Sequence, residues 1–224
     1  MVGMETRPTA IGLVFYPGMT VLDVVGPQAV FSLLSDVTIS RIWKTRDPIR
    51  SDDGMTVVPD TTFADCPPLD VLCIGGGLHR AEIADDPELL EFLAKQGASA
   101  RYVTSVCGGS ILLAKAGLLD GYRATSHWAA RDQLAAYGAE VTAGRVVVDR
   151  NRLSGGGITA GIDFGLTVAA ALRGAEAAKL AQLILEYDPA PPFDAGSPEK
   201  AGPELTGKAV AWLRKAMGAG QRNA

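Results

Sequence analysis

Tyr102-Val103-Thr104-Ser105-Val106-Cys107-Gly108-Gly109-Ser110 reads as a short strand that ends on a cysteine and turns at once into a helix. Val103, Thr104 and Val106 are β-branched and suit a buried strand. Ile111-Leu112-Leu113-Ala114-Lys115-Ala116-Gly117 then carries apolar residues at helical spacing. Glycine tolerates positive φ and close backbone approach, so Gly108 and Gly109 permit a sharp strand-to-helix turn. That is the geometry of a nucleophile elbow with cysteine in place of serine. At a helix mouth a thiolate meets free N–H groups and the positive end of the helix dipole, which lower its pKa. The plainer reading makes Cys107 a small buried core residue. Its position between a β-run and Gly-Gly-Ser favours the reactive one.

Working outward, strands alternate with helices. Ala10 to Phe15 is a continuous apolar run, as in a strand buried on both faces. Tyr16-Pro17-Gly18 turns the chain, and Pro27 predicts a helix that starts near Gly26 or Pro27. Asp23 then falls in the preceding loop, among Val21, Leu22, Val24 and Val25. A carboxylate in that company is paired, capping the next helix or chemically employed. Val37 to Trp43 predicts a strand, and Asp52-Asp53-Gly54 predicts a hairpin joining 49–51 to 55–59. Cys66 abuts a Pro-Pro turn and Cys73 lies inside the strand 71–74, so both read as structural.

Gly75-Gly76-Gly77 ends that strand and offers backbone N–H groups to a phosphate or a developing anion. A dinucleotide fingerprint needs spaced glycines opening a helix; these are contiguous and Leu78-His79-Arg80 follows, so the nucleotide reading is rejected. Asp86-Pro87 caps a helix through Gln96. Thr125-Ser126-His127-Trp128 precedes a helical stretch, 129–137, and strands follow at 141–142, 145–149 and 151–154. Gly155-Gly156-Gly157 opens a helix from Ile158 to Leu172; a second spans 175–186. The proline-rich stretch 187–198 is an extended arm, and 205–217 a final helix.

The alternation predicts an α/β fold with a mostly parallel sheet flanked by helices, in one domain over 1–224 with frayed ends at 1–8 and 219–224. In such sheets ligands sit beyond the carboxyl ends of strands, where Gly75, Cys107 and the Asp23 loop all fall. The formal charge of -4 argues against a nucleic-acid footprint. No apolar run is long enough to span a membrane, and the N-terminus lacks a signal peptide's apolar centre, so a cytoplasmic protein is expected. Three cysteines and two histidines, without ligand spacing, make neither a disulfide framework nor a structural zinc site.

Several of these motifs together resemble the ThiJ/PfpI branch of the class I glutamine-amidotransferase-like superfamily. They are Phe15-Tyr16-Pro17-Gly18, Leu22-Asp23-Val24-Val25-Gly26-Pro27, Gly75-Gly76-Gly77 and Val103-Thr104-Ser105-Val106-Cys107. Thr125-Ser126-His127-Trp128, Ser154-Gly155-Gly156-Gly157-Ile158 and Glu186-Tyr187-Asp188-Pro189 extend the likeness, which covers nearly all of Ala10 to Pro198. Within that branch the chain is similar to the isonitrile (isocyanide) hydratases. The resemblance implies a flavodoxin-like fold, a homodimer, no cofactor and no metal. It also implies a small isonitrile substrate hydrated to an N-substituted formamide through a thioimidate on Cys107.

Asp23 would be the acid, Gly76 and Gly108 the backbone donors, and His127 and Ile158 neighbours of the pocket. His127 reads either as a triad base, as in the wider superfamily, or as a structural residue before Trp128. Those hydratases carry Cys-Thr-Gly-Ser at the elbow, whereas here Gly108 removes that hydroxyl. Peptidase relatives carry Cys-His, and the missing histidine argues against proteolysis. Two further readings are a glyoxalase-like or deglycating enzyme acting on an aldehyde, and a ligand- or redox-sensing module. Sensor relatives carry a helix-turn-helix domain, for which the chain after Pro198 is too short. The helix opened at Ile158 carries Ala160, Gly161, Gly165, Ala169 and Ala170, and is expected to pack closely beside Cys107.

Overall fold

The computed structural model describes residues 7–78 and 83–220. Eleven strands are found among them: β1 Thr9–Val14, β2 Val37–Trp43, β3 Ile49–Arg50, β4 Thr56–Val57, β5 Thr61–Thr62, β6 Val71–Ile74, β7 Tyr102–Val106, β8 Arg123–Ala124, β9 Glu140–Val141, β10 Val146–Asp149 and β11 Arg152–Gly155. The α-helices are α1 Leu22–Phe31, α2 Pro87–Ser99, α3 Gly109–Lys115, α4 Ala160–Arg173, α5 Ala175–Ile184 and α6 Pro198–Gly220.

The main sheet runs β10-β11-β7-β6-β1-β2-β5, and only the β10–β11 pair is antiparallel. Its five central strands follow the flavodoxin-like pattern, with the crossover to the other side after β2. Buried on both faces, the core runs of β1 and β6 are apolar throughout: every residue of Ile11–Val14 and Val71–Ile74 is buried. Helices α1 and α4 pack against each other, α5 lies behind α4, and α2 packs on α3.

Register brings the strand ends together. Val14 pairs with Ile74, Ile74 with Ser105, and Val106 with Gly155. The residues that follow, Phe15 onward, Gly75 onward and Cys107, therefore leave the sheet at one rim. The expected hairpin forms as β3 and β4, with Ile49 opposite Val57.

Four expectations need correction. Helix α1 begins at Leu22, so Asp23 lies in its first turn and Pro27 is internal. Pro27 lacks only the N–H that would bond to the Asp23 carbonyl, and Gly161 of α4 packs beside that carbonyl instead. The stretch 129–137 forms a 3-10 helix, Arg131–Tyr137, ended by Gly138 at φ 77°. The helix after the glycine triplet starts at Ala160, two residues later than Ile158. The last helix is longer than 205–217 and bends at Gly202, where φ is 76° and Pro203 opens its second limb.

Most of the termini expected to fray, and His79 and Arg80, lie outside the described residues. Arg7, inside them, is held by a two-pronged ion pair to Asp70 at 2.6 and 2.9 Å. No described helix is long and apolar enough to cross a membrane.

Candidate functional site

The elbow forms as the sequence demands. Cys107 adopts φ 57°, a left-handed conformation that non-glycine residues rarely hold. Neighbouring backbone fixes it there. Its N–H donates to the Gly155 carbonyl at 3.0 Å. Its carbonyl accepts from Ser126 Oγ at 2.8 Å and from Ser110 Oγ at 3.1 Å. The side chain is buried but retains a small opening, at 9% exposure.

The glycines around it are sterically required. A Cβ on Gly76 would lie 2.4 Å from the Gly108 nitrogen, and one on Gly109 would lie 2.2 Å from the Ile74 carbonyl oxygen. A Cβ on Gly75 would meet Asp23 Cβ at 2.7 Å. The Gly75–Gly77 loop, the elbow and the start of α1 thus pack backbone against backbone.

Asp23 is wholly buried in that junction. Its Oδ2 accepts the Gly76 N–H at 2.6 Å, so the carboxyl caps no N–H of its own helix. Gly76, expected as a donor to a developing anion, spends its N–H on holding this acid. Burial pushes the Asp23 pKa up to about 7, against the opposing pull of hydrogen bonds from Gly76 and Cys107. Asp52 adds a smaller upward push through its charge. Asp23 and Cys107, far apart in the sequence, are brought into direct interaction.

Of the other predicted residues, Gly108 precedes α3 and presses its backbone on Gly76. His127 is half-buried: its Nδ1 accepts from the Ala129 N–H at 3.3 Å, and its ring lies 5.3 Å from that of Trp128. Gly157 sits against His127 Cδ2. Ile158 is partly buried on the core. His127 and Ile158 share a cleft of about 860 Å³ with Trp128, Arg145 and Phe193. Ser126, which holds the Cys107 carbonyl, lies in its wall.

The close packing expected of α4 beside Cys107 falls instead on α1. Gly161 and Gly165 face Pro27 and Val30 across the helix pair, and Gly155, at the base of the turn into α4, contacts Val106 beside the elbow.

Three supporting residues escaped the sequence reading. Tyr16 is buried and donates its hydroxyl to the Gly75 carbonyl at 3.0 Å. Thr20 donates its N–H to the Gly76 carbonyl at 3.0 Å and its hydroxyl to Asp52 at 2.5 Å. Asp52 had only a turn signal. Tyr16 lies inside a quoted motif and Thr20 just beside one, but neither carries a spacing signal of its own. The other two cysteines are poor thiolates: burial pushes Cys66 up to about 11 and Cys73 up to about 12. Among the described residues no three His, Cys, Asp or Glu side chains gather as a metal site.

Comparison with known proteins agrees with this architecture. Isonitrile hydratase of Pseudomonas putida is 51% identical over 191 residues, 85% of this chain and 84% of that protein. The crystal structure of a ThiJ/PfpI family protein from Pseudomonas syringae superposes with a TM-score of 0.91 at 47% identity, covering 94% of this chain and 88% of that one. Drosophila melanogaster DJ-1beta shares the fold, with a TM-score of 0.73 at 20% identity over 80% of this chain and 98% of that one. The DJ-1/PfpI family model matches residues 10–171, which hold the sheet's central strands, the Asp23 helix and the cysteine elbow. By sequence and by fold alike, the chain belongs to the DJ-1/PfpI family.

Proposed function

We propose that this protein is an isonitrile hydratase, adding water to an isonitrile to release an N-substituted formamide. The observation that carries the reading is the buried Asp23–Cys107 pair. A carboxyl pushed up to about 7 can act as acid or base near neutral pH, beside a cysteine at a helix mouth. The 51% identity to the Pseudomonas putida hydratase over most of both chains supports the substrate class.

The chemistry follows from the isonitrile carbon, which accepts a nucleophile and a proton at the same atom. The Cys107 sulfur bonds to that carbon while Asp23, protonated, delivers its proton there. The product is a thioimidate, with nitrogen doubly bonded to the former isonitrile carbon. Asp23, now a carboxylate, takes a proton from water as the oxygen adds to that carbon. The hydroxyl proton passes to nitrogen as the carbon–sulfur bond breaks. The formamide leaves, and thiolate and protonated carboxyl are restored. One water is consumed and no electrons are exchanged. Gly76 keeps Asp23 aimed throughout, and the Gly108 backbone is the remaining donor at the elbow. His127 takes no proton in this scheme and serves the cleft wall with Ile158.

An aldehyde-directed, glyoxalase-like enzyme would use the same thiolate. Incubation with an aryl isonitrile and, separately, with methylglyoxal separates the two readings. Mass spectrometry should find the N-aryl formamide and no change in the aldehyde. Turnover of methylglyoxal without formamide would overturn the proposal.

A further inference from the structure

Asp52 opens the turn between β3 and β4, far in sequence from both Asp23 and Cys107, yet it is wired to the acid. Its N–H donates to the Met19 carbonyl at 2.9 Å. Its Oδ2 accepts the Thr20 hydroxyl at 2.5 Å and the Leu78 N–H at 3.2 Å. Thr20 in turn donates its N–H to the Gly76 carbonyl at 3.0 Å and accepts the Asp23 N–H at 3.1 Å. Gly76 closes the circuit by donating to Asp23 Oδ2 at 2.6 Å. One carboxylate thus binds together the two segments that meet around Asp23.

We propose that Asp52 is a positioning residue for the Asp23–Cys107 pair, fixing the Thr20 and Gly76–Leu78 backbone that holds Asp23 in place. The inference rests on the reading of that pair as the reactive one. The titratable and charged groups around Asp23 come from three elements: Cys107 of the elbow and Asp52 of the hairpin act on it, and it acts on Cys73 of β6. Cys73, with its thiol pushed up to about 12, stays neutral near pH 7, so the charge acting on Asp23 from outside the pair is that of Asp52. A nearby negative charge makes each deprotonation of a coupled pair harder. The pair therefore keeps its shared proton to higher pH with Asp52 than without it.

Asp52→Asn retains an oxygen for Thr20 and Leu78 and removes only the charge. Two profiles should both move to lower pH: the alkaline limb of kcat/KM on an aryl isonitrile, and the midpoint of Cys107 alkylation by iodoacetamide. Asp52→Glu should hold the wild-type alkylation midpoint. Asp52→Ala, lacking the acceptor as well, should lose kcat more than it changes KM and should speed hydrogen exchange at the Gly76 amide. Alkylation requires no turnover, so wild-type protein inert toward isonitriles would sink the proposed activity while the alkylation midpoint still judged Asp52. Superimposed Asp52→Asn and wild-type alkylation profiles, or an Asp52→Ala variant with wild-type kcat and exchange, would overturn the role.

Discussion

Cys107 occupies a backbone conformation that costs a non-glycine residue on the order of 1–3 kcal/mol. The hydrogen bonds to its N–H and carbonyl hold it there, where its side chain meets Asp23. Asp23 carries a second cost. Its carboxyl titrates near 7 in the folded protein, against about 3.9 in an unfolded chain. Between those values the native state binds the extra proton, so stability falls as pH rises from about 4 to 7 and then levels off. A gap of about three pH units corresponds to roughly 4 kcal/mol, as an upper order of magnitude. Asp23→Asn removes the titration while keeping an acceptor for Gly76. Its stability advantage over wild type, measured by urea unfolding, should be larger at pH 8 than at pH 5, while its isonitrile turnover drops about 10²–10⁴-fold. A stability gap that does not change with pH would refute the buried acid. Both residues stood out in the sequence by their company, an acid among valines and a cysteine before glycines. Their interaction did not, because 84 positions separate them and only the sheet register brings them together.

At the level of elements, glycine positions tell most about what the turns must do. Gly109 opens α3 with its Cα against the Ile74 carbonyl, and nothing larger fits without moving the backbone. Gly109→Ala should cost about 1–3 kcal/mol or more. Gly207→Ala, in α6 with open space around its Cα, should gain up to about 1 kcal/mol. Denaturant midpoints of the two variants should move in opposite directions; equal shifts would undo the packing account of the elbow. The need for bare backbone is legible in sequence because only glycine meets it. The start of α1 is not. Proline favours the first turn of a helix, so Pro27 pointed to a helix beginning there, whereas tertiary packing extends it back to Leu22. The two-residue strands β5 and β8 carry no periodic signal to read. The kink at Gly202 was visible only as the Gly-Pro pair that ends one helical limb and opens the next.

Across the whole molecule, the fold was legible because its sheet is mostly parallel. Strands covered on both faces favour apolar runs, and two of the crossovers, α1 between β1 and β2 and α2 between β6 and β7, are helices, so much of the sequence alternates between two plain patterns. The order of the strands supplies what no single segment reveals: β1, β6 and β7 lie side by side, and their carboxyl ends deliver the first turn of α1 with Asp23, the glycine triplet and Cys107 to one rim. The cleft walled by His127, Trp128 and Phe193 depends on the irregular arm after α5, whose path prolines restrict but do not determine. The claim on which this architecture converges is that Cys107 is the nucleophile that takes the isonitrile carbon. The most direct measurement is the rate of formamide release from an aryl isonitrile by wild-type protein and by Cys107→Ala, each shown to be folded by circular dichroism. The account predicts turnover by the wild type and none above the uncatalysed rate by the variant. A folded Cys107→Ala protein that releases formamide at the wild-type rate would contradict it.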